Sequence, residues 1–311
     1  LDLSMPGMGG LAALDALVAR RPQVAVIVLS TFSVEGARQT VEALHRGALD
    51  FVDKREYSMV DFRVLREVLL EKIRALTEGG PDERDGPARK RPAAGPRVRR
   101  APPPEPEPDG GAADASLLVV GASTGGPPAV QRLLQDLGSR PGLPVCVVQH
   151  MPPAFTAAFA ERLDAALPVA VRQARDGEAL SPSTVYVAPG GRHLLIEARG
   201  EALVARLALD PPLPHRPSVD LLFRSAARAV GRRCCAVLLT GMGEDGARGL
   251  AAVSEAGGWT AVQDEASSVV FGMPRAALEL GAAREILGLE ALGARIRELL
   301  RPAAPAPPNR P

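Results

Sequence analysis

The stretch LLVVGASTGGPPAV, residues 117–130, decides the fold of the larger part of this chain. Its first four residues are apolar and typical of a buried strand. Pro127 indicates the start of a helix, because proline at the first helical position costs no hydrogen bond. A glycine-rich turn therefore joins a strand to a helix, as in parallel α/β sheets, where ligands bind at the carboxyl ends of the strands. Functional side chains are expected in the turns that follow strands.

The same alternation of apolar runs and helical periodicity continues to residue 300. It predicts strands at 117–120, 145–148, 236–239 and 259–262, helices at 127–137, 154–166, 219–230, 246–256, 274–280 and 289–300, and short strands and hairpins between 169 and 204. The predicted fold of residues 116–303 is a doubly wound α/β parallel sheet with a β-hairpin insertion.

The residues on either side of this region differ from it in composition. A chain of 311 residues is long for one domain. Residues 1–78 alternate again, with helices predicted at 11–19, 34–45 and 60–76 and strands at 24–29 and 51–52. Residues 79–115 are rich in Pro, Gly and Arg, which predicts a disordered linker, and a disordered tail is predicted at 304–311.

Overall composition excludes some function classes. The 37 Lys and Arg nearly balance the 36 Asp and Glu, so charge gives no reason to expect nucleic acid or a membrane surface as a partner. Cys146, Cys234 and Cys235 lie in or beside apolar runs and are interpreted as core thiols in a reducing compartment. No apolar run approaches the length of a membrane span, and a cytoplasmic protein is expected.

The turn at residues 121–126 fits three structures. It is compatible with a phosphate-binding loop, with a nucleophile elbow that exposes Ser123, and with a plain turn capped by a hydroxyl. A dinucleotide site requires an acidic residue after the next strand, but that strand is followed by Gln149 and His150. A neutral imidazole at this place can accept the proton of a serine, so His150 is the candidate base.

A third turn, TGMGEDG at residues 240–246, follows the strand predicted at 236–239. Asp245 either caps the next helix or orients His150. The N–H groups of this loop, at Gly241 and Gly243, are candidate donors to an oxyanion. Ser123, His150 and Asp245 at the ends of three parallel strands together predict a serine hydrolase.

These segments resemble the chemotaxis protein-glutamate methylesterases. The resemblance rests on GASTGG at 121–126, QHMP at 149–152, YVAPG at 186–190, HRPSVD at 215–220, LTGMGEDG at 239–246, QDEA at 263–266 and FGMP at 271–274. It implies a triad of Ser123, His150 and Asp245, with Thr124 and Met242 lining the site. It also implies hydrolysis of glutamyl methyl esters on transmembrane chemoreceptors, deamidation of glutamines as a second activity, and no cofactor for catalysis.

Residues 1–78 resemble the C-terminal part of the family's flavodoxin-like receiver domain. DLSMP at 2–6 is similar to the phosphoacceptor motif, which implies that Asp2 accepts the phosphoryl group, Ser30 is the switch hydroxyl and Lys54 contacts the phosphoryl group. Arg55 and Gly9 depart from the receiver pattern. A chemotaxis histidine kinase is the implied phosphodonor and Mg²⁺ the implied cofactor of phosphorylation. Because the strand that carries the Mg²⁺-binding acidic pair would precede Leu1, this chain by itself is not expected to be phosphorylated.

Two other interpretations remain open from the sequence. The chain could be a response regulator whose second domain only binds receptors, although a binding module has no need of Ser123, His150 and Asp245 together. It could also bind a nucleotide at residues 121–126, against which the missing acidic residue counts.

Overall fold

The computed structural model describes residues 1–5, 7–30, 33–54, 62–78 and 115–300, and for residues 62, 64 and 78 only the backbone. The predicted linker, apart from Ala115, and the predicted tail lie outside these ranges, as does Arg55. Within them, no helix has the length and apolar character needed to cross a membrane.

The helices are α1 (Gly10–Arg20), α2 (Val34–His45), α3 (Phe62–Glu78), α4 (Gly126–Leu137), α5 (Pro153–Ala166), α6 (Val219–Val230), α7 (Ala247–Glu255), α8 (Gly272–Glu279) and α9 (Leu289–Leu299). The strands are β1 (Ile27–Ser30), β2 (Asp50–Asp53), β3 (Leu117–Ala122), β4 (Val145–Gln149), β5 (Ala170–Gln173), β6 (Thr184–Val187), β7 (His193–Arg199), β8 (Ala202–Ala208), β9 (Cys234–Leu238), β10 (Trp259–Gln263) and β11 (Glu285–Leu287).

In the described part of the chain, seven strands form one sheet in the order β11-β10-β9-β3-β4-β6-β5. All neighbouring pairs in this sheet are parallel, whereas β7 and β8 form an antiparallel hairpin. The α/β fold with a hairpin insertion is therefore confirmed.

Two details of the strand prediction were wrong. Residues 170–187 do not form hairpins, because β5 and β6 join the main sheet in parallel. The short edge strand β11 was missed, since its three residues are all partly or largely exposed and leave no buried apolar run.

Alternation along β3 explains why helices cover both faces of the sheet. Leu118 and Val120 pack in one cluster with residues of α4, α5 and α9, including Leu133 and Ile296. Leu117 and Val119, which point to the other face, pack with residues of α6, α7 and α8. A strand buried on both faces is uniformly apolar, as the sequence showed.

The three cysteines are free and buried in the described structure. Cys146 lies on β4, and Cys234 and Cys235 lie on β9. Burial raises the pKa of the Cys235 thiol to about 12, so it remains protonated and unreactive at neutral pH. They serve as apolar core residues.

Residues 1–78, called here the N-terminal part, form a smaller parallel arrangement. β1 pairs with β2, and on its other side Asp2 lies beside Leu29 in a parallel bridge. The strand predicted at 24–29 begins later, at Ile27, where its pairing with Asp50 of β2 begins.

The space around Gly121 shows how closely β3 and α6 pack. A Cβ atom at this position would lie 2.2 Å from Cγ1 of Val219 and 3.1 Å from Cδ1 of Leu238. We expect Gly121→Ala to lower the free energy of unfolding by about 1–3 kcal/mol, the usual cost of overpacking a core. Urea denaturation of the variant measures this change.

The matched control adds Val219→Ala to the same chain. If the clash is the cause, the double variant loses less stability than the sum of the two single changes. Equal unfolding midpoints for Gly121→Ala and the parent chain would contradict the close packing.

Candidate active site

The three predicted turns lie side by side at the carboxyl edge of the main sheet. β3 lies between β9 and β4, so the turn that carries Ser123 has the turn of His150 on one side and that of Asp245 on the other. Backbone hydrogen bonds join the turns, from His150 N to Ala122 O at 3.1 Å and from Ser123 N to Thr240 O at 3.1 Å. The parallel topology thus brings these three residues into one site.

Glycine is needed at two places, one in the turn around Ser123 and one in the turn beside it. Gly125 has a φ of 75°, which side-chain-bearing residues rarely adopt. Gly241, on the neighbouring turn, approaches so closely that a Cβ atom there would lie 2.8 Å from the Ser123 Cβ and 2.2 Å from the Met273 sulfur. Gly241 therefore allows the two turns to pack against each other.

His150 and Asp245 form a largely buried hydrogen bond. His150 Nε2 lies 2.8 Å from Asp245 Oδ2, and the two side chains are 8% and 12% exposed. Burial alone would raise the pKa of Asp245. The hydrogen bond and charge of His150, with the backbone N–H groups of Asp220 and Val219, outweigh it and lower the pKa to about 2. Asp245 is therefore a carboxylate at neutral pH.

This pairing defines which nitrogen of neutral His150 is basic. An ionised carboxylate only accepts hydrogen bonds, so Nε2 must carry the proton that lies toward Asp245. Nδ1 then keeps its lone pair. It is buried and has no hydrogen-bond partner among the described residues. A buried acceptor without a partner can accept a hydrogen bond from a hydroxyl group, and the backbone of His150 adjoins the turn of Ser123.

The backbone donors of this edge differ from the prediction at one residue. Gly241 N donates to Val270 O at 3.0 Å and is not available to an oxyanion in this conformation. Within the described chain, the N–H groups of Thr124, Met242 and Gly243 donate no hydrogen bond. These three residues also line the cleft beside Ser123 and His150, so their N–H groups are the candidate donors.

The cleft, of about 620 Å³, lies between the sheet edge and the N-terminal part of the chain. From that part, Asp50, Val68 and Lys72 line it, opposite Ser123 and His150. The N-terminal part therefore covers the carboxyl edge of the main sheet, where Ser123 and His150 lie.

Polar contacts hold the N-terminal part directly on the turn of Ser123. The Thr124 hydroxyl donates to Asp50 Oδ2 at 2.6 Å, and Gly125 N donates to Leu49 O at 3.2 Å. Asp50 also pairs with Lys72, and the Asp50 side chain is only 9% exposed. The sequence analysis missed both Asp50 and Lys72, since neither lies in a motif.

A second set of contacts joins α2 to α5. Arg38 pairs with Glu161 at 3.2 Å, and Arg162 pairs with Glu42 at 3.5 Å. Close by, the rings of Phe51 and Phe155 lie 4.5 Å apart. This part of the interface is thus apolar at its centre and charged at its edge.

The predicted receiver residues lie near one another at the end of β1 and β2. Asp2 accepts a hydrogen bond from the Lys54 side chain, and this bond is the largest cause of the lowered pKa of Asp2. Ser30 is buried and accepts a hydrogen bond from Thr40 at 2.6 Å.

These residues do not make a Mg²⁺ site. Among the described residues no group of three or more His, Cys, Asp or Glu could hold a metal, and the carboxylate of Asp2 is engaged by Lys54. The described residues therefore do not supply the set of oxygen donors that Mg²⁺ requires.

Two further residues at the site belong to the motif at 215–220 but were given no role. The ring of His215 stacks on that of His150, with centroids 4.2 Å apart and planes inclined by 12°. The Ser218 hydroxyl donates to Asp245 Oδ1 at 2.9 Å. Only the tertiary structure shows that their loop reaches the site.

Comparison with known proteins is consistent across the chain. Residues 118–296 match the CheB methylesterase family, and residues 1–62 match the response regulator receiver domain. Protein-glutamate methylesterase/protein-glutamine glutaminase 1 of Myxococcus xanthus is 42% identical, over 97% of this chain and 83% of its own length. Protein-glutamate methylesterase/protein-glutamine glutaminase 6 of Anaeromyxobacter dehalogenans is 46% identical, over 97% and 82%.

A solved structure agrees with these relatives. The CheB methylesterase catalytic domain of Thermotoga maritima is 37% identical, with a TM-score of 0.58, and the match covers 60% of this chain and 98% of that one. On these grounds the chain belongs to the CheB methylesterase family, with a response regulator receiver domain preceding the carboxylic ester hydrolase domain.

Proposed function

We propose that this chain hydrolyses glutamyl 5-methyl esters, and deamidates glutamines, on chemoreceptors by a triad of Ser123, His150 and Asp245. The observation that carries the proposal is the His150–Asp245 hydrogen bond, which leaves the buried Nδ1 atom of His150 basic and unpaired next to the turn of Ser123. The relatives' names give the substrate class. The other partner is a chemotaxis histidine kinase, and the compartment is the cytoplasm.

Acylation begins with proton transfer. His150 Nδ1 accepts the Ser123 proton as Oγ attacks the side-chain carbonyl carbon, and Asp245 stabilises the imidazolium. The N–H groups of Thr124, Met242 and Gly243 are the donors for the tetrahedral oxyanion. Collapse of the intermediate, with the proton returned by His150, expels methanol from an ester or ammonia from an amide.

Deacylation repeats the same steps with water as the nucleophile. His150 takes a proton from water, which attacks the acyl carbon, and the second intermediate releases glutamate and the Ser123 hydroxyl. In the structure His150 Nδ1 does not yet accept a hydrogen bond from Ser123 or another described residue, and catalytic hydrogen bonds are often long before substrate binds.

Regulation follows from the position of the receiver domain over the cleft. Asp50 lies at the start of β2 and accepts a hydrogen bond from the Thr124 hydroxyl. Lys54 lies just after β2 and contacts Asp2. In a full-length protein that also contains the expected Mg²⁺-binding strand, phosphorylation of Asp2 would offer Lys54 a more highly charged partner at the other end of the same short strand. We propose that the resulting shift of β2 weakens the contact of Asp50 with Thr124 and opens the cleft.

Ser123→Ala tests the nucleophile. We expect methanol release from a methylated chemoreceptor fragment to fall at least a thousandfold, to the level left when a triad member is lost. Ser139→Ala is the matched control, because Ser139 is exposed in the loop between α4 and β4, at the opposite edge of the sheet. Release that persists in a folded Ser123→Ala chain would refute the triad, and a folded parent chain without release would favour a binding module.

Asp50→Ala tests the contact that covers the cleft. The change removes the acceptor of Thr124 and the partner of Lys72, and a hydrogen bond to a charged group is worth about 1.5–3 kcal/mol. We expect basal methanol release to rise on the order of tenfold, since the open form becomes more populated.

A charge swap away from the cleft serves as the control for this prediction. Arg38→Glu should raise basal release by about twofold, because it places two carboxylates together at Glu161, and adding Glu161→Arg should reverse the rise. Unchanged or lower release in both Asp50→Ala and Arg38→Glu would contradict a closed resting arrangement.

A further inference from the structure

We propose that residues 215–218, in the loop between β8 and α6, form a positioning element for the base. In this element His215 sets the plane of the His150 ring, and Ser218 sets the carboxylate of Asp245. The inference deepens the proposed function and rests on its assignment of His150 as the base. Neither residue needs to touch the substrate for this role.

The His150–Asp245 hydrogen bond alone leaves one degree of freedom. It fixes one edge of the imidazole, with Nε2 at 2.8 Å from Oδ2, but the ring can still rotate about the line that joins these atoms. Such rotation would change the direction in which Nδ1 points, and with it the path of proton transfer from Ser123 in the proposed mechanism. A second ring stacked at 4.2 Å and nearly parallel opposes it, because tilting His150 would drive its edge into His215.

The ring of His215 suits this role because it is kept uncharged. Its pKa is lowered, first by burial among its neighbours and then by the positive charge that His150 can carry. Asp245 on the same side raises this pKa, and Lys72 of the receiver domain, across the cleft, lowers it. A neutral His215 packs on His150 without charge repulsion when His150 takes up a proton.

Ser218 orients Asp245, the other member of the His150–Asp245 pair. Its hydroxyl donates to Asp245 Oδ1 at 2.9 Å, and the N–H groups of Val219 and Asp220, at the start of α6, donate to the same carboxylate at 2.8 and 3.0 Å. Asp245 therefore has its orientation set from the helix that Ser218 caps.

The loop that carries both residues is anchored at several points. His193 is fully buried, lies 2.9 Å from Pro211 O through Nε2, and accepts a hydrogen bond from Ser218 N through Nδ1 at 3.2 Å. Gly191 N donates to Arg216 O at 2.9 Å. The support of His215 and Ser218 is thus built into the domain core rather than supplied by substrate.

Two substitutions in the full chain separate ring stacking from other roles of His215. His215→Ala removes the ring, whereas His215→Phe keeps a flat ring that can stack but has no titratable nitrogen. Leu209→Ala is the control, because Leu209 is the first residue of the same loop and is 55% exposed. Urea denaturation of each variant verifies that it is folded.

Two readouts are measured for each variant. One is methanol release from a methylated chemoreceptor fragment, as kcat and KM. The other is the rate at which a fluorophosphonate modifies Ser123, a reaction that forms a P–O bond to Oγ, expels fluoride and needs the base but no receptor. In His215→Ala we expect kcat and the modification rate to fall on the order of tenfold, with KM changed by less than about twofold, because the base is misplaced. His215→Phe should recover most of both rates, and Leu209→Ala should match the parent chain.

The other outcomes are equally informative. Parent-like rates in His215→Ala would overturn the inference, and so would equal losses in the Ala and Phe variants, which would assign the effect to the imidazole nitrogens. A higher rate in His215→Ala would overturn it too, because His215 would then mainly hold the receiver domain closed. If no chain releases methanol but modification falls in Ala and recovers in Phe, the positioning role stands and the proposed substrate fails.

Discussion

The site depends on the hydrogen bonds that the carboxylate of Asp245 accepts. It accepts hydrogen bonds from His150, from the Ser218 hydroxyl and from the first N–H groups of α6. In return, Asp220 of α6 accepts from Gly246 and Gly249 at the start of α7. Two helices thus cap each other through a pair of carboxylates, and the same contacts that hold them on the sheet also orient His150, the proposed base.

The proposed regulation and the proposed catalysis meet at the turn that follows β3. One residue after Ser123, Thr124 donates to Asp50 of the receiver domain, and Gly125 donates to the carbonyl of Leu49. The carboxylate of Asp50 is nearly buried, so losing these partners without gaining others would be costly. Under the proposed regulation, the receiver domain leaves the cleft when its strand β2 shifts, and β2 ends next to Lys54, which contacts Asp2.

Much of the fold could be predicted because strands buried on both faces are continuous apolar runs, as in β3, β4 and β9. Prediction failed where this signal was weak. β5 alternates exposed and buried residues, which suggested a hairpin, yet its partner is the parallel strand β6. The edge strand β11 has no buried residue to reveal it. At the site, Gly241 was expected to donate to an oxyanion, but its N–H pairs with Val270, a long-range contact that spacing along the chain does not encode.

The sequence by itself determined the α/β class and the positions of Ser123, His150 and Asp245 at strand ends, because local periodicity and turn residues specify where strands stop. It also carried the motifs that place the chain in its family. Only the tertiary structure decided which nitrogen of His150 is basic, that His215 stacks on its ring, and that Asp50 covers the turn of Ser123. Those features join residues 65 to 95 positions apart, and such contacts depend on strand order and on domain packing, not on local pattern.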